Sequence, residues 1–255
     1  MPRFSRPKPL LLATLLLALA GGPRLGAMGS PPLITDDTGT APAGHFEFNL
    51  GCNTERRPGL RLSEVPAFDV NYGLGEGVHF NLALPWLRLG EDGSSAQQGF
   101  GNSTLGVKWR LVDGGEKGLS VSVFPKLEFN NPGSSSADHG LVEHGTRGSL
   151  PVQFQHTFGP LTLVGQLGRE FGAGGDGWSY GVSAGRQVTD KVEIGVELAG
   201  GASGGLHRSS LSANLGLTVA LSEHCSLVFA VGRELHNHDE PRASLLAHAG
   251  LQWRR

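Results

Sequence analysis

The chain has 255 residues, 40 of them glycine, with 21 Lys and Arg against 23 Asp and Glu and a formal net charge of −2. The length allows one large domain or two small ones, and a hydrophobic content of 38% is low for a globular core, yet Leu, Val and Phe are too plentiful for disorder. Without the first 27 residues, which carry Arg3, Arg6, Lys8 and Arg24 and no acid, 17 basic residues face 23 acidic ones and the charge is −6, which argues against a nucleic-acid partner.

In chain order, the first element is a targeting segment. Arg3, Arg6 and Lys8 form a positive start and Leu10 to Ala20 an apolar core. Ala18-Leu19-Ala20 is a small-x-small cleavage site, and Ala27 is a second candidate. A core of eleven residues is too short for a spanning helix, which needs about 20. Export with a signal peptide over 1–27, cleaved there or after residue 20, is therefore expected. Residues 28–43 follow as a periplasmic segment. Within it, Thr35-Asp36-Asp37 reads as turn chemistry in preference to a plug folded into a lumen.

From residue 44 onward apolar residues recur with a period of two. Phe46 to Cys52, Phe68 to Tyr72, Val78 to Trp86, Leu105 to Leu111, Leu119 to Phe129 and Leu150 to Phe154 alternate with polar or small residues. Leu161 to Leu167, Trp178 to Val182, Val192 to Leu198, Leu211 to Leu221, Leu227 to Val231 and Leu245 to Trp253 continue the pattern. These stretches predict an all-β, antiparallel, up-and-down transmembrane barrel of about 12 strands over 44–255, with both termini periplasmic. No other segment is apolar enough for a spanning helix, so strands must do the crossing.

Alternation alone does not distinguish a membrane barrel from a secreted soluble β-sandwich. Three observations favour the barrel. Connectors alternate short, as at Gly159-Pro160 and Thr189-Asp190-Lys191, with longer, as at Leu89 to Phe100 and Asn131 to Thr146. Aromatic residues on the apolar phase fall at two levels, with Phe46, Tyr72, Trp109, Phe158 and Trp253 at the short-turn rim. Trp86, Phe129, Phe171 and Trp178 fall at the other rim, so the nine form two interfacial girdles. The opposite phase carries Lys108, Arg110, Lys126, Glu128, Glu170, Glu193 and Glu197, which suit a wet lumen better than a dry core. On this map the basic group faces Glu170, Glu193 and Glu197 across a narrow pore, and Ser179, Gly181, Ser183 and Gly185 between them leave room for a solute.

Two stretches have a familiar form. Pro31-Pro32-Leu33-Ile34-Thr35-Asp36-Asp37 precedes Phe46-Glu47-Phe48, and Gly99-Phe100-Gly101-Asn102-Ser103-Thr104-Leu105-Gly106-Val107-Lys108-Trp109 forms the second, with Val231-Gly232-Arg233-Glu234 near the end. Together they resemble the outer-membrane transporter family associated with the meta-pathway of phenol degradation, over most of 31–255. The resemblance implies a Gram-negative outer-membrane barrel for uptake of small, often aromatic, solutes. It also implies outer-membrane lipid and the barrel assembly machinery as partners. One departure is that Trp253, in place of ending the chain, is followed by Arg254 and Arg255.

No catalytic set stands out, and neither a cofactor nor a metal is expected. His207-Arg208-Ser209 lacks an acid partner for nucleophilic chemistry. His236-Asn237-His238-Asp239-Glu240 has ligand-type residues but reads first as a solvated loop. Cys52 and Cys225 lie on the first and eleventh strands and are read as unpaired. The favoured function is a passive channel for small solutes. The alternatives are a structural or adhesive barrel with a plugged lumen and the soluble binding sandwich.

Overall fold

The computed structural model describes residues 32–115 and 118–255. Fourteen strand segments follow in chain order: β1 (Phe46–Arg57), β2 (Leu60–Gly75), β3 (Val78–Glu91), β4 (Gln97–Phe100), β5 (Ser103–Val112), β6 (Leu119–Val123) and β7 (Lys126–Phe129), then β8 (Thr146–Phe158), β9 (Leu161–Gly172), β10 (Gly177–Thr189), β11 (Val192–Ser203), β12 (Ser209–Ala220), β13 (Cys225–Asn237) and β14 (Leu245–Arg254). All consecutive neighbours pair antiparallel, and β1 pairs with β14 from Glu47↔Arg254 to Arg56↔Leu245, so the sheet closes on itself. Closure excludes the two-sheet sandwich. β4 with β5, and β6 with β7, each make one broken crossing, which gives twelve crossings in all.

Proline causes both breaks. Pro85 on β3 has no N–H to give the ladder, and its carbonyl instead accepts from the Gly101 N–H at 2.9 Å, where β4 ends. Pro125 stands between β6 and β7, and the Phe124 N–H bonds to the carbonyl of Pro151 at 2.9 Å. The two breaks meet the β4–β5 crossing six residues apart, at Gly101 and at Val107, whose N–H bonds to the Pro125 carbonyl at 3.1 Å, and alternation of the faces is kept.

Polarity runs inside out. Leu167 and Leu215 on the outer face are 51% and 57% exposed, whereas Gln153 and Ser122 on the inner face are both fully buried. A water-soluble protein reverses that order. A continuous apolar outer wall around a polar interior is what a lipid solvent selects, because burying backbone groups in a closed ladder leaves only side chains to meet hydrocarbon. Rings cluster on that wall. Phe46 and Tyr72 stand 4.5 Å apart and Phe48 and Trp253 5.5 Å apart at the short-turn end. Trp86 meets Phe100 edge-on at 4.9 Å, and Arg169 lies 5.0 Å from the Trp178 ring, at the other end.

The connectors differ from the sequence expectation. Strands continue into parts of the stretches read as long linkers, chiefly 89–100 and 200–210, because paired residues satisfy their backbone groups beyond the apolar band. The β3–β4 turn is only 92–96 and the β11–β12 turn only 204–208, and 130–145 is the one long connector among the described residues. It does not hang free. Ser136 and Leu141 are buried, and a Cβ added at Gly99 of β4 would lie 2.6 Å from Ser136 Oγ and 3.3 Å from Leu141 Cδ2. The loop therefore folds back against the inner face of the wall.

Candidate functional site in the lumen

The segment before β1 enters the barrel. Gly73 near the end of β2 admits it: the Gly44 N–H bonds to the Gly73 carbonyl and the Gly73 N–H to the His45 carbonyl, each at 2.9 Å. A Cβ at Gly73 would stand 1.8 Å from the Pro42 carbonyl oxygen, so no other residue allows this entry. From there the chain crosses the lumen to the far wall. The Ala41 N–H donates to His79 Nδ1 of β3 at 3.1 Å, and the Thr38 N–H to Gln155 Oε1 of β8 at 3.3 Å. The Asp36 N–H donates to Gln166 Oε1 of β9 at 3.1 Å, and the Ile34 N–H to Glu197 Oε2 of β11 at 3.1 Å. Thr35 donates its own N–H to Glu197 as well. This is a correction to the turn reading of Thr35-Asp36-Asp37. An irregular strand must find partners for its backbone N–H groups, and the polar wall supplies them.

Charge fixes the same segment. Lys108 Nζ of β5 is held by Asp36 Oδ1 at 2.9 Å and Asp37 Oδ1 at 3.5 Å, and its side chain is 2% exposed. Shape completes the seat. A Cβ at Gly181 of β10 would come within 2.1 Å of Thr35 Oγ1, and Leu33 and Pro32 lie against Gly216 of β12, 3.0 Å from where its Cβ would be. Gly181, one of the small residues that the sequence suggests would leave room for a solute, is instead covered by the protein's own chain.

The seven charged positions of the polar phase do not form two free facing groups. Lys108 and Glu197 are joined through the inserted segment. Arg110 bonds Asp113 at 3.3 Å in the short-turn rim. Glu170 accepts from Arg147 at 2.7 Å, and Glu128 from Asn102 Nδ2 at 2.9 Å. Glu193 borders a small recess with Pro32 and Leu33. Lys126 Nζ stands 4.1 Å from the centre of the Phe124 ring. The charges are thus held by separate partners and do not form two groups facing each other on one axis.

Beyond the segment the lumen opens into a cavity of about 1260 Å³. Its deep wall is an amide and carboxylate ladder: Asp69 accepts from Asn49 Nδ2 at 2.9 Å and from Asn81 Nδ2 at 2.5 Å, and Asn81 also donates to Asn71 at 2.8 Å. Toward the loop end Leu62, Pro85, Leu87 and Val142 add apolar surface among Glu55, Glu64 and Glu128. Phe124 stands between the regions, 5.7 Å from the His79 ring and 5.3 Å from Lys108 Nζ. Alternation places Phe124 on the polar phase between Ser122 and Lys126, and that phase was the available signal for it.

The other sequence candidates lie apart from this site. Asn237 Oδ1 accepts from the Asp239 and Glu240 N–H groups at 3.0 and 3.1 Å, and His238 Nδ1 lies 3.2 Å from Asp239. Arg208 bonds Asp239 at 3.5 Å. Cys52 and Cys225 are both free, facing Ala249 and Trp253 of β14.

The chain matches no family model and no curated protein sequence. It is similar in structure to several solved membrane barrels. An outer-membrane channel from Pseudomonas putida F1 superposes with a TM-score of 0.64 at 12% identity, over 86% of this chain and 98% of that one. The KdgM porin solved with disordered oligogalacturonate gives 0.56 at 11% identity, over 80% and 98%. The CymD monoaromatic hydrocarbon channel gives 0.51 at 8% identity, over 83% and 88%. At these identities the likeness shows the fold, an outer-membrane β-barrel of the channel and porin type.

Proposed function

We propose that the exported chain is an outer-membrane channel for passive movement of small amphipathic solutes, aromatic ones included, through a lumen narrowed at both ends. The carrying observation is the cavity, whose lining passes from Leu62, Pro85 and Leu87 to Asp69 and its asparagines. A solute with a ring and a polar group has partners along that whole path. The fold shared with channels, and the resemblance of the Gly99 to Trp109 stretch to a family tied to phenol degradation, support the same reading. Asp69, Glu64 and Glu128 accept from amides, at Asn49, Asn53 and Asn102 among others, and no cation stands within ion-pair distance of them among the described residues. The pore therefore favours neutral and cationic solutes over anions.

The seated N-terminal segment favours a second reading, a structural barrel closed by its own chain. Planar-bilayer conductance and liposome swelling separate the two, using phenol, tyramine and benzoate beside sugars of similar size. A channel admits phenol and tyramine faster than benzoate. Absence of conductance both in the full chain and in a variant lacking 32–40, with folding verified, establishes the closed structural barrel.

A further inference from the structure

The outer wall carries one concentration of charge. Arg56 of β1, Arg61 of β2, Arg88 of β3 and Arg233 of β13 are all exposed. Arg56 shares the outward phase of Phe46 and Leu50, Arg88 that of Trp86, and Arg233 that of Val231. Arg61 stands directly opposite Arg56, and directly opposed residues share a face. Arg88 pairs with Ser63, two positions from Arg61, so it is the diagonal neighbour. On the other side Arg56 pairs with Leu245 of β14, and Arg233 follows the last β13–β14 pair, Gly232↔Leu246. The four guanidiniums thus span five adjacent strands at the end of the barrel away from the short turns.

None of the four is held by a carboxylate among the described residues. The acids of the same strands face inward: Glu55 and Glu64 line the cavity, and Glu234 takes Arg57 in a two-pronged pair at 2.8 and 2.9 Å. Like charges set directly opposite are unfavourable unless an anion lies between them. Arg88 is two residues beyond Trp86, roughly 7 Å along the strand, which is the headgroup level just past an interfacial ring. Adjacent strands are about 4.8 Å apart, so Arg56, Arg61 and Arg88 spread over more than one phosphate can reach. Guanidinium forks hold phosphate oxygens two at a time, in a way a lysine ammonium does not.

We propose that this outward arginine face is a docking site for a lipid headgroup carrying two phosphates, of the diphosphorylated glycolipid kind that anchors lipopolysaccharide. It rests on the outer-membrane reading with this end of the barrel outward. The mature full barrel, refolded in detergent free of lipopolysaccharide, is titrated with diphosphorylated lipid A, with binding read by native mass spectrometry and by the temperature of the gel-mobility conversion. The triple variant Arg56→Gln, Arg61→Gln, Arg88→Gln is expected to bind at least tenfold more weakly, and Arg169→Gln, on another wall and paired with Asp176, to bind as wild type. Monophosphorylated lipid A and phosphatidylglycerol are expected to bind at least tenfold more weakly to the wild type. Equal binding by wild type and triple variant overturns the proposal, as does phosphatidylglycerol binding as tightly as diphosphorylated lipid A. If the triple variant does not fold, the double variant Arg61→Gln, Arg88→Gln is judged by the same tenfold criterion. Bilayer conductance of the same proteins is scored separately, so loss of lipid binding with an intact pore and loss of the pore with intact lipid binding strike different claims.

Discussion

Lys108 of the wall and Asp36 of the inserted segment meet at 2.9 Å inside the barrel, and each is the other's chief reason to be there. A lysine buried this fully needs a counter-charge, and the segment brings Asp37 within 3.5 Å as a second one.

Removing one partner should free the segment. Lys108→Met removes the cation that Asp36 and Asp37 share, a change of about 3–5 kcal/mol when a buried pair is broken. The strain is expected to release the segment and to appear as increased single-channel conductance with the barrel still heat-modifiable on gels. Asp36→Asn with Asp37→Asn should act in the same direction. Unchanged conductance in both would show that backbone bonds alone seat the segment.

Steric displacement offers an independent route. Gly181→Val places carbon where Thr35 Oγ1 now lies, 2.1 Å from the first added atom, while Glu197 holds the backbone of Ile34 and Thr35 in place. The expected result is a wider pore in liposome swelling. Gly165→Ala, with nothing within 4 Å of its new carbon, serves as the silent control.

Selectivity should separate the two glutamates of β11. Glu193→Gln removes charge beside Pro32 and Leu33, and a modest shift toward anions with unchanged conductance is expected from reversal potentials. Glu197→Gln weakens the acceptor for two segment N–H groups and for Asn214, so conductance should rise along with the shift. Identical behaviour of the two variants would contradict this division.

The lipid face has its own signature. Val107 is outward and 40% exposed, and Arg there is expected to cost about 2–4 kcal/mol in urea unfolding of vesicle-inserted barrel. Thr104→Arg, on the cavity side of the same strand, should cost less. Equal losses would mean that the assigned faces are wrong.

Epitope labelling tests orientation and the folded loop together. Insertion after Gly93 in the 92–96 turn, where an added Cβ would meet nothing within 4 Å, should be tolerated and should label intact cells. Insertion at Ser136, which packs on Gly99, should release the 130–145 loop and enlarge the mouth. Labelling at Gly93 only after permeabilisation would invert the barrel.

The crossings were legible because a wall with lipid on one side and a wet lumen on the other stamps a period of two on every strand, from Phe46 to Trp253. The inserted segment was not, since Pro32 to Thr38 has no period and its partners Lys108, Gln155, Gln166 and Glu197 are remote in sequence. Some traces of it existed: an unshared acid pair at Asp36-Asp37, and glycines on the inner phase at Gly195 and Gly216 that stand opposite each other in the ladder. Small inner residues read equally well as open space or as a seat, and only the three-dimensional path of the chain distinguishes them. The folded loop was hidden for a similar reason, because Leu141 and Val142 are two apolar residues in a polar stretch whose contact, Gly99, has no side chain to announce it.

The anchors of the inserted segment come from β3, β5, β8, β9 and β11, and in the closed barrel these strands surround a common volume. The segment leaves the ribosome before any strand, yet its seat needs strands as late as β11. The first part of the chain to be made is thus seated by strands made long after it, and the bore of the passage depends on residues as distant in sequence as His79 and Glu197.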